Sequence, residues 1–309
     1  MLEPLTDHPV LAAAAITVLL LLAYLVCLNQ LLLGTPPEIE QLAQTPWTAE
    51  LLVKTYKRLE ARPITTASYA KHIPPKLERR YIVTGGSGLV GGYIVLQLLE
   101  RGQPPSSIRI VDFRPPNRPD MLHEPAASVD FVQTDISSAA ATEQAFFKPW
   151  PSSVAHLPLT VFHTAAVIVP SDRSPLLSAF CDAVNVGGTR HVLVSAQRAG
   201  ADVLVSTTSA SISIRPVGLW VAPWRMVVGG WPRHFAQVLD AADFSAPLRP
   251  RGDFYANYPA SKAAAERLVC AANCPRLRTG CVRPANGVYG NPTDNTLGGA
   301  LAKAVIPTY

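Results

Sequence analysis

The first apolar positions along the chain run without interruption. From Val10 to Leu28 the residues read VLAAAAITVLLLLAYLVCL, nineteen positions without a charge. As a helix that run is roughly 28 Å long, close to the hydrocarbon thickness of a bilayer. It extends through Leu31–Leu33 if Asn29 and Gln30 sit at the interface. A cleaved secretory signal is the alternative. It would open on basic residues, whereas Met1–Pro9 holds Glu3 and Asp7 and neither Lys nor Arg, and no small-residue cleavage site follows. The pattern therefore predicts a luminal tail and an uncleaved transmembrane anchor within residues 1–33.

The period then changes. Thr48–Ala61 (TAELLVKTYKRLEA) spaces its apolar residues as an amphipathic helix, inside an otherwise irregular linker over 34–78. From residue 79 short apolar runs alternate with helical stretches. RYIVT (Arg80–Thr84), SIRIVDF (Ser107–Phe113), VDFVQTD (Val129–Asp135), TVFHTAA (Thr160–Ala166), DVLVSTTS (Asp202–Ser209) and RTGCVRP (Arg278–Pro284) read as strands. Asp182–Gly200 reads as one long helix, Cys270 and Cys274 fall on another, and Asn295–Val305 forms a last one. Strands alternating with helices imply an α/β fold of Rossmann type, a doubly wound parallel sheet over 79–309. Many of the 29 prolines, such as Pro36-Pro37, Pro74-Pro75, Pro104-Pro105 and Pro115-Pro116, punctuate these elements.

Charge sharpens the picture in one place. Residues 50–80 hold eight Lys/Arg against three Glu, which equals the whole net charge of +5, so the rest is balanced. A basic stretch after an apolar anchor suits anionic lipid headgroups, although a solvated helix would look the same. With no Lys or Arg before the span and Lys54, Lys57 and Arg58 after it, the positive-inside rule places the main domain in the cytosol. No basic stripe is interleaved with aromatics, so nucleic acid is not an expected partner. Cys27, Cys181, Cys270, Cys274 and Cys281 form no CxxC pair and no ligand set with histidine, which argues for reduced thiols and against a structural metal. His163 reads as a core or loop-edge histidine rather than a ligand.

The first strand runs into GGSGLVGG, in which Gly85, Gly88 and Gly91 keep a GxxGxxG spacing. Glycines let the backbone approach a pyrophosphate, and the helix that starts with Leu89 and Val90 offers it free N–H groups. Asp112 closes the second strand, twenty-one residues beyond Gly91. A carboxylate there accepts bonds from a ribose and repels a 2′-phosphate, which predicts NAD and not NADP; Arg114 nearby is the opposing signal. Tyr258 and Lys262 in YPASK stand one helical turn apart, where an ammonium can lower a phenol's pKa and make it a general acid/base.

With TGGSGLVG, VDF, TDI, FHTAA, NVGGT, STTSAS, YPASK and VRPANGVYG in this order, residues 79–309 resemble the extended short-chain dehydrogenase/reductase family. Within it the chain is most similar to the 3β-hydroxysteroid dehydrogenases and the decarboxylating sterol-4α-carboxylate 3-dehydrogenases. The resemblance implies Ser209 as catalytic hydroxyl, Tyr258 as acid/base, and Lys262 as the residue that also binds the nicotinamide ribose. It further implies Asp135 and Ile136 as adenine contacts, Ala165 and Ala166 as strand-end cofactor contacts, and Asn185 as a supporting residue. Ser206, Thr207, Thr208 and Ser211 crowd the position given to Ser209. The implied substrate is a sterol or other hydrophobic alcohol, and the implied location is a membrane, that of the endoplasmic reticulum, crossed once. A dehydrogenase acting on a nucleotide sugar or secondary metabolite, and an inactive NAD-binding membrane protein, are the alternatives.

Two departures bear on this. Forty-eight residues separate Ser209 from Tyr258, more than the family usually has. Within this insertion (215–253), Arg215–Arg233 is apolar and carries Trp220, Trp224 and Trp231; it suits either a membrane interface or an inward-packed loop. The family's aromatic-glycine after the fifth strand is Ser213-Ile214 here. Extended members also continue with a further substrate-binding portion, so part of that pocket is expected to be missing from a chain ending at Tyr309.

Overall fold

The structure is a computed structural model that describes residues 9–42, 47–169 and 172–284. Its strands are β1 (Arg80–Thr84), β2 (Ile108–Asp112), β3 (Asp130–Gln133), β4 (Leu159–His163), β5 (Ala201–Thr207) and β6 (Arg278–Val282). Its α-helices are α1 (Pro9–Leu32), α2 (Pro37–Leu42), α3 (Ala49–Ala61), α4 (Leu89–Glu100), α5 (Ala139–Phe147), α6 (Pro175–Cys181), α7 (Gly188–Arg198), α8 (Pro223–Val227) and α9 (Asn257–Ala271). The chain divides into two compact units. One comprises residues up to Ile73 with Arg215–Val238, the other Pro74–Ile214 with the chain from Leu239 onward.

In the larger unit every strand pairing is parallel and the order is β3-β2-β1-β4-β5-β6. Alternate residues of a strand face opposite ways, and the two cores follow. Ile82, Val111, Val161 and Leu204 pack with Phe146, Val192, Leu193, Ala196 and Val269 from α5, α7 and α9. Tyr81, Val83, Ile108 and Ile110 pack with Val95, Leu98 and Leu99 of α4. Burial on both sides explains why β1, β2 and β4 read as short, mainly apolar runs without strict alternation.

Two buried guanidinium groups close the sheet's edges. Arg109 on β2 is fully buried, pairs with Asp130 of β3 at 2.7 Å, and donates to the carbonyls of Ala145, Lys148 and Pro149. Its plane lies over Trp150. Arg283, just past β6, pairs with buried Glu266 of α9, one bond being 2.8 Å, and with Asp243 at 3.4 Å.

Several boundaries differ from the sequence expectation. The expected Asp182–Gly200 helix is α6, a π-helical segment over Asp182–Gly187, then α7. Cys270 is on α9, but Cys274 lies beyond its end, where it pairs with Leu277 in a tight turn. The first expected strand is β1 unchanged, and the other five lose one to three residues at their carboxyl ends to the loops that follow. The expected helix at Asn295–Val305 lies outside the described residues.

In the smaller unit α1 is 24 residues long with no buried residue, and is long and apolar enough to cross a membrane. Thr48 caps α3, its hydroxyl accepting from Leu51 N at 3.1 Å.

Arg283→Ala leaves Glu266 buried and short of its main partner. The expected cost is about 3–5 kcal/mol, read as a melting temperature lower by roughly 10 °C. An Arg283→Met, Glu266→Leu double variant should recover most of that loss.

Candidate active site

The glycine turn is shaped by crowding. Gly85 has φ +74°, and a Cβ there would meet Ala165 N at 2.5 Å. A Cβ on Gly91 would lie 2.3 Å from the Gly85 carbonyl oxygen and 2.6 Å from Thr164 Oγ1. The turn is thereby laid against Thr164 and Ala165, just past the end of β4. Gly88 caps α4, and the first intrahelical bond runs from Gly92 N to Gly88 O at 2.9 Å. The N–H groups of Leu89, Val90 and Gly91 thus have no acceptor within the helix, which leaves a positive, donor-rich end.

Asp112 closes this turn from β2. Its Oδ2 accepts from Ser87 N at 3.0 Å and its Oδ1 from Arg114 N at 3.3 Å. Burial raises its pKa above the usual carboxylate range, against the lowering by those backbone donors and by the Arg114 charge. Ser87 Oγ beside it is buried without a hydrogen-bond partner. An orphaned hydroxyl among glycines, free helix N–H groups and a carboxylate fits the phosphates and ribose of a dinucleotide. Asp135 sits just past β3, its Oδ1 accepting from Ser137 N at 2.9 Å. Ile136 is buried, and its side chain packs where a Cβ on Gly188 would stand.

The second half of the site lies after β5. Ser209 is the hydroxyl hydrogen-bonded to the Tyr258 phenol; its Oγ also lies 2.8 Å from Ser211 Oγ and accepts from Ser211 N at 3.2 Å. Its neighbours are engaged elsewhere: Ser206 is buried in β5, and Thr208 Oγ1 donates to Val282 O at 3.2 Å. Lys262 is buried, and its Nζ donates to the Thr207 carbonyl at 2.8 Å. Burial pushes its ammonium down to about 8, against the raising influence of Cys281 and Glu266.

One electrostatic expectation is corrected here. Tyr258 is not lowered. Burial raises its phenol, the Ser209 bond only partly offsets that, and Lys262 is spent on the Thr207 carbonyl. The helical spacing of Tyr258 and Lys262 showed a shared face, not where the ammonium would point.

A buried polar chain that spacing alone does not reveal supports the cluster. Thr189 Oγ1 donates to Asn185 O at 2.6 Å, so it must accept from His163 Nε2, 2.9 Å away. The other ring nitrogen, Nδ1, then accepts from Thr84 Oγ1 at 2.7 Å. Asn185 Nδ2 donates to Ser261 Oγ at 2.9 Å, and Ser261 Oγ to Tyr258 O at 2.8 Å. The side chain of Asn185 also grips Val167, accepting from its N and donating to its O. The π-helical segment carries Asn185, and its NVGGT string was the available signal. His163 is thus a partnered core residue; among the described residues no group of three His, Cys, Asp or Glu could hold a metal.

A doubly wound sheet with such a turn at β1 and a Ser–Tyr–Lys cluster past β5 is the arrangement of a short-chain dehydrogenase/reductase. Residues 82–216 match the 3-beta hydroxysteroid dehydrogenase/isomerase family. The chain is 30% identical over 231 residues to a 3 beta-hydroxysteroid dehydrogenase/Delta 5-->4-isomerase of Mycobacterium tuberculosis, covering 74% of this chain and 51% of the relative. It is 29% identical over 212 residues to the decarboxylating sterol-4-alpha-carboxylate 3-dehydrogenase of Schizosaccharomyces pombe, covering 69% and 51%. A solved UDP-glucose 4-epimerase of Thermus thermophilus, in complex with NAD, is similar over 72% of this chain and 60% of its own, with 22% identity and a TM-score of 0.48. The chain belongs to the short-chain dehydrogenase/reductase family, on its 3β-hydroxysteroid dehydrogenase branch. It spans about half the length of the curated relatives it matches.

Burial, with the Lys262 charge adding to it, pushes His163 down to about 3 from 6.5. The unfolded chain therefore takes up a proton near pH 6.5 that the folded chain refuses until about 3. Stability should be lost as pH falls through that window, with a slope approaching about 1.4 kcal/mol per pH unit from this residue. A pH series of unfolding midpoints should show the slope, and His163→Gln should flatten it.

Proposed function

We propose that this chain is a membrane-anchored, NAD-dependent dehydrogenase that oxidises the 3β-hydroxyl of a sterol-like substrate. The observation that carries the reading is the grouping of Ser209, Tyr258 and buried Lys262 past β5 of a sheet whose β1 turn is built for a dinucleotide. The first-turn N–H groups at Leu89 and Val90, with Gly85, Gly88 and Gly91, would hold the pyrophosphate. Asp112 would take the adenosine ribose, Asp135 and Ile136 would flank the adenine, and Ala165 and Ala166 would line the path to the nicotinamide. Bound there, NAD supplies the hydride acceptor.

The chain's own groups handle the proton. Ser209 holds the substrate oxygen, Tyr258 in its phenolate form takes the hydroxyl proton as the hydride leaves, and Lys262 holds the nicotinamide ribose while its ammonium stays on the Thr207 carbonyl. Oxidation at C3 leaves a ketone. A carboxylate on the neighbouring carbon would then be a β-keto acid and lose carbon dioxide with that ketone as electron sink. The names of the relatives and the apolar helix support a hydrophobic alcohol over a sugar nucleotide. The same helix supports a single crossing of the endoplasmic reticulum membrane, with 34–78 as a basic linker and the dinucleotide-binding unit in the cytosol.

Detergent-solubilised full chain should reduce NAD with 3β-hydroxysterols and not with sugar nucleotides; the reverse would overturn the substrate class. Tyr258→Phe keeps the ring but removes the transferring oxygen, so turnover should fall about 10² to 10⁴-fold with NAD affinity nearly unchanged. Because burial raises the phenol, the oxidation rate of the unmodified chain should climb with pH above neutral, and Lys262→Ala should lose both turnover and NAD affinity.

NAD should bind at least about tenfold tighter than NADP, since a phosphate beside the Asp112 carboxylate costs more than about 1 kcal/mol. Asp112→Asn should narrow that gap in a titration. After carbonate extraction the protein should stay in the membrane pellet with its C-terminus open to cytosolic protease. A soluble, shortened product would show the first segment to be a cleaved signal.

A further inference from the structure

Arg215–Val238 takes no part in the sheet and belongs to the same compact unit as α1. It closes on itself at the neck. Gly218 N donates to Arg233 O at 3.0 Å, Arg215 N to Gln237 Oε1 at 2.8 Å, and Gln237 Nε2 back to Arg215 O at 3.0 Å. Further out it lies along α1. The Trp220 ring stacks on Tyr24 with centroids 5.1 Å apart, and Val221 N donates to Tyr24 Oη at 3.2 Å. Trp231 stands against Gly34, where an added Cβ would come within 3.4 Å of the indole. Tyr24 precedes the end of α1 by eight residues, about 12 Å along its axis. The hairpin therefore flanks the last two turns of the apolar helix.

Several of its apolar side chains are uncovered. Trp224 is 73% exposed, Val227 87% and Val228 81%, and Leu219 stands out beside them. A cluster of that size facing water is unfavourable, and such patches mark a partner surface. The segment holds Arg215, Arg225, Arg233 and three tryptophans and not one Asp or Glu, the composition of a chain lying among anionic headgroups with its indoles at the acyl boundary. Its neck bonds and the Val221–Tyr24 bond satisfy backbone groups that lipid could not.

We propose that Arg215–Val238 is a second membrane element, a hairpin inserted in the leaflet that holds the C-terminal half of α1, with Trp224, Val227 and Val228 among the acyl chains. The proposal rests on the reading of α1 as a membrane span. The two elements form one membrane unit although about 180 residues separate them in sequence.

Full-length chain in nanodiscs of phosphatidylcholine and phosphatidylserine, with lipids brominated midway along the acyl chain, tests it through tryptophan emission. The unmodified chain should be quenched. The Trp220→Phe, Trp224→Phe double variant, which keeps a ring for Tyr24 and leaves Trp47, Trp150 and Trp231 as a constant background, should lose most of that quenching at an unchanged melting temperature. Adding Leu19→Trp to the double variant reports the anchor separately. If Leu19→Trp is quenched and the unmodified hairpin is not, the span stands and the hairpin proposal falls. If neither is quenched, both fall. An unquenched hairpin in a chain that light scattering shows to be a dimer would make this face a contact between copies, and would equally overturn the proposal.

Discussion

The Gly85 carbonyl has no spare room around it, and the site is organised by that closeness. The oxygen lies where a Cβ on Gly91 would collide, and Gly85 itself lies against the backbone of Ala165. One contact point thus ties the end of β1, the first turn of α4 and the end of β4 together. The Ser87 N–H to Asp112 bond adds β2 to the same point. A single methyl at either glycine would push apart three elements that otherwise need no special residues. The apolar strands set the sheet, but this crowding decides that helix N–H groups, strand-end carboxylate and orphaned Ser87 hydroxyl face one place.

Much of this was legible along the chain because it depends on local chemistry. Strands buried on both faces read as apolar runs, the glycine string falls between the first run and the first helix, and Asp112 ends the second. What stayed hidden depends on side-chain direction across long separations. Five hydroxyls crowd the end of β5, and only packing against α9 distinguishes Ser209, as the one that meets Tyr258. The π-helical segment breaks a stretch whose composition reads as continuous helix, because its register answers to Asn185 bonding Val167 and Ser261. The insertion looked equally suited to lipid or to a core, since tryptophan serves both, and only its contact with Tyr24 tells what it lies beside.

Four ionisable groups of the site share a feature that sets its chemistry. Burial drives each toward its neutral form: Asp112 and Tyr258 upward, Lys262 to about 8, His163 to about 3. For His163 that state is locked in, because its two ring nitrogens are already matched to one donor and one acceptor, and a second ring proton would face Thr84 Oγ1 with its own proton displaced. For Lys262 it is not. A pKa near 8 lies close enough to physiological pH that one good acceptor, the Thr207 carbonyl, keeps a proton there. Tyr258 is the opposite case: the Ser209 bond is the one influence that lowers its phenol, and burial outweighs it. The protein alone therefore holds the phenol protonated. A substrate hydroxyl that came between Ser209 and Tyr258 would replace that bond with one to an oxygen about to lose its proton, so the cluster's basicity depends on what fills it. That dependence follows from burying the site deeply enough to exclude water, and it makes the Ser209–Tyr258 pair the place where binding and proton transfer meet.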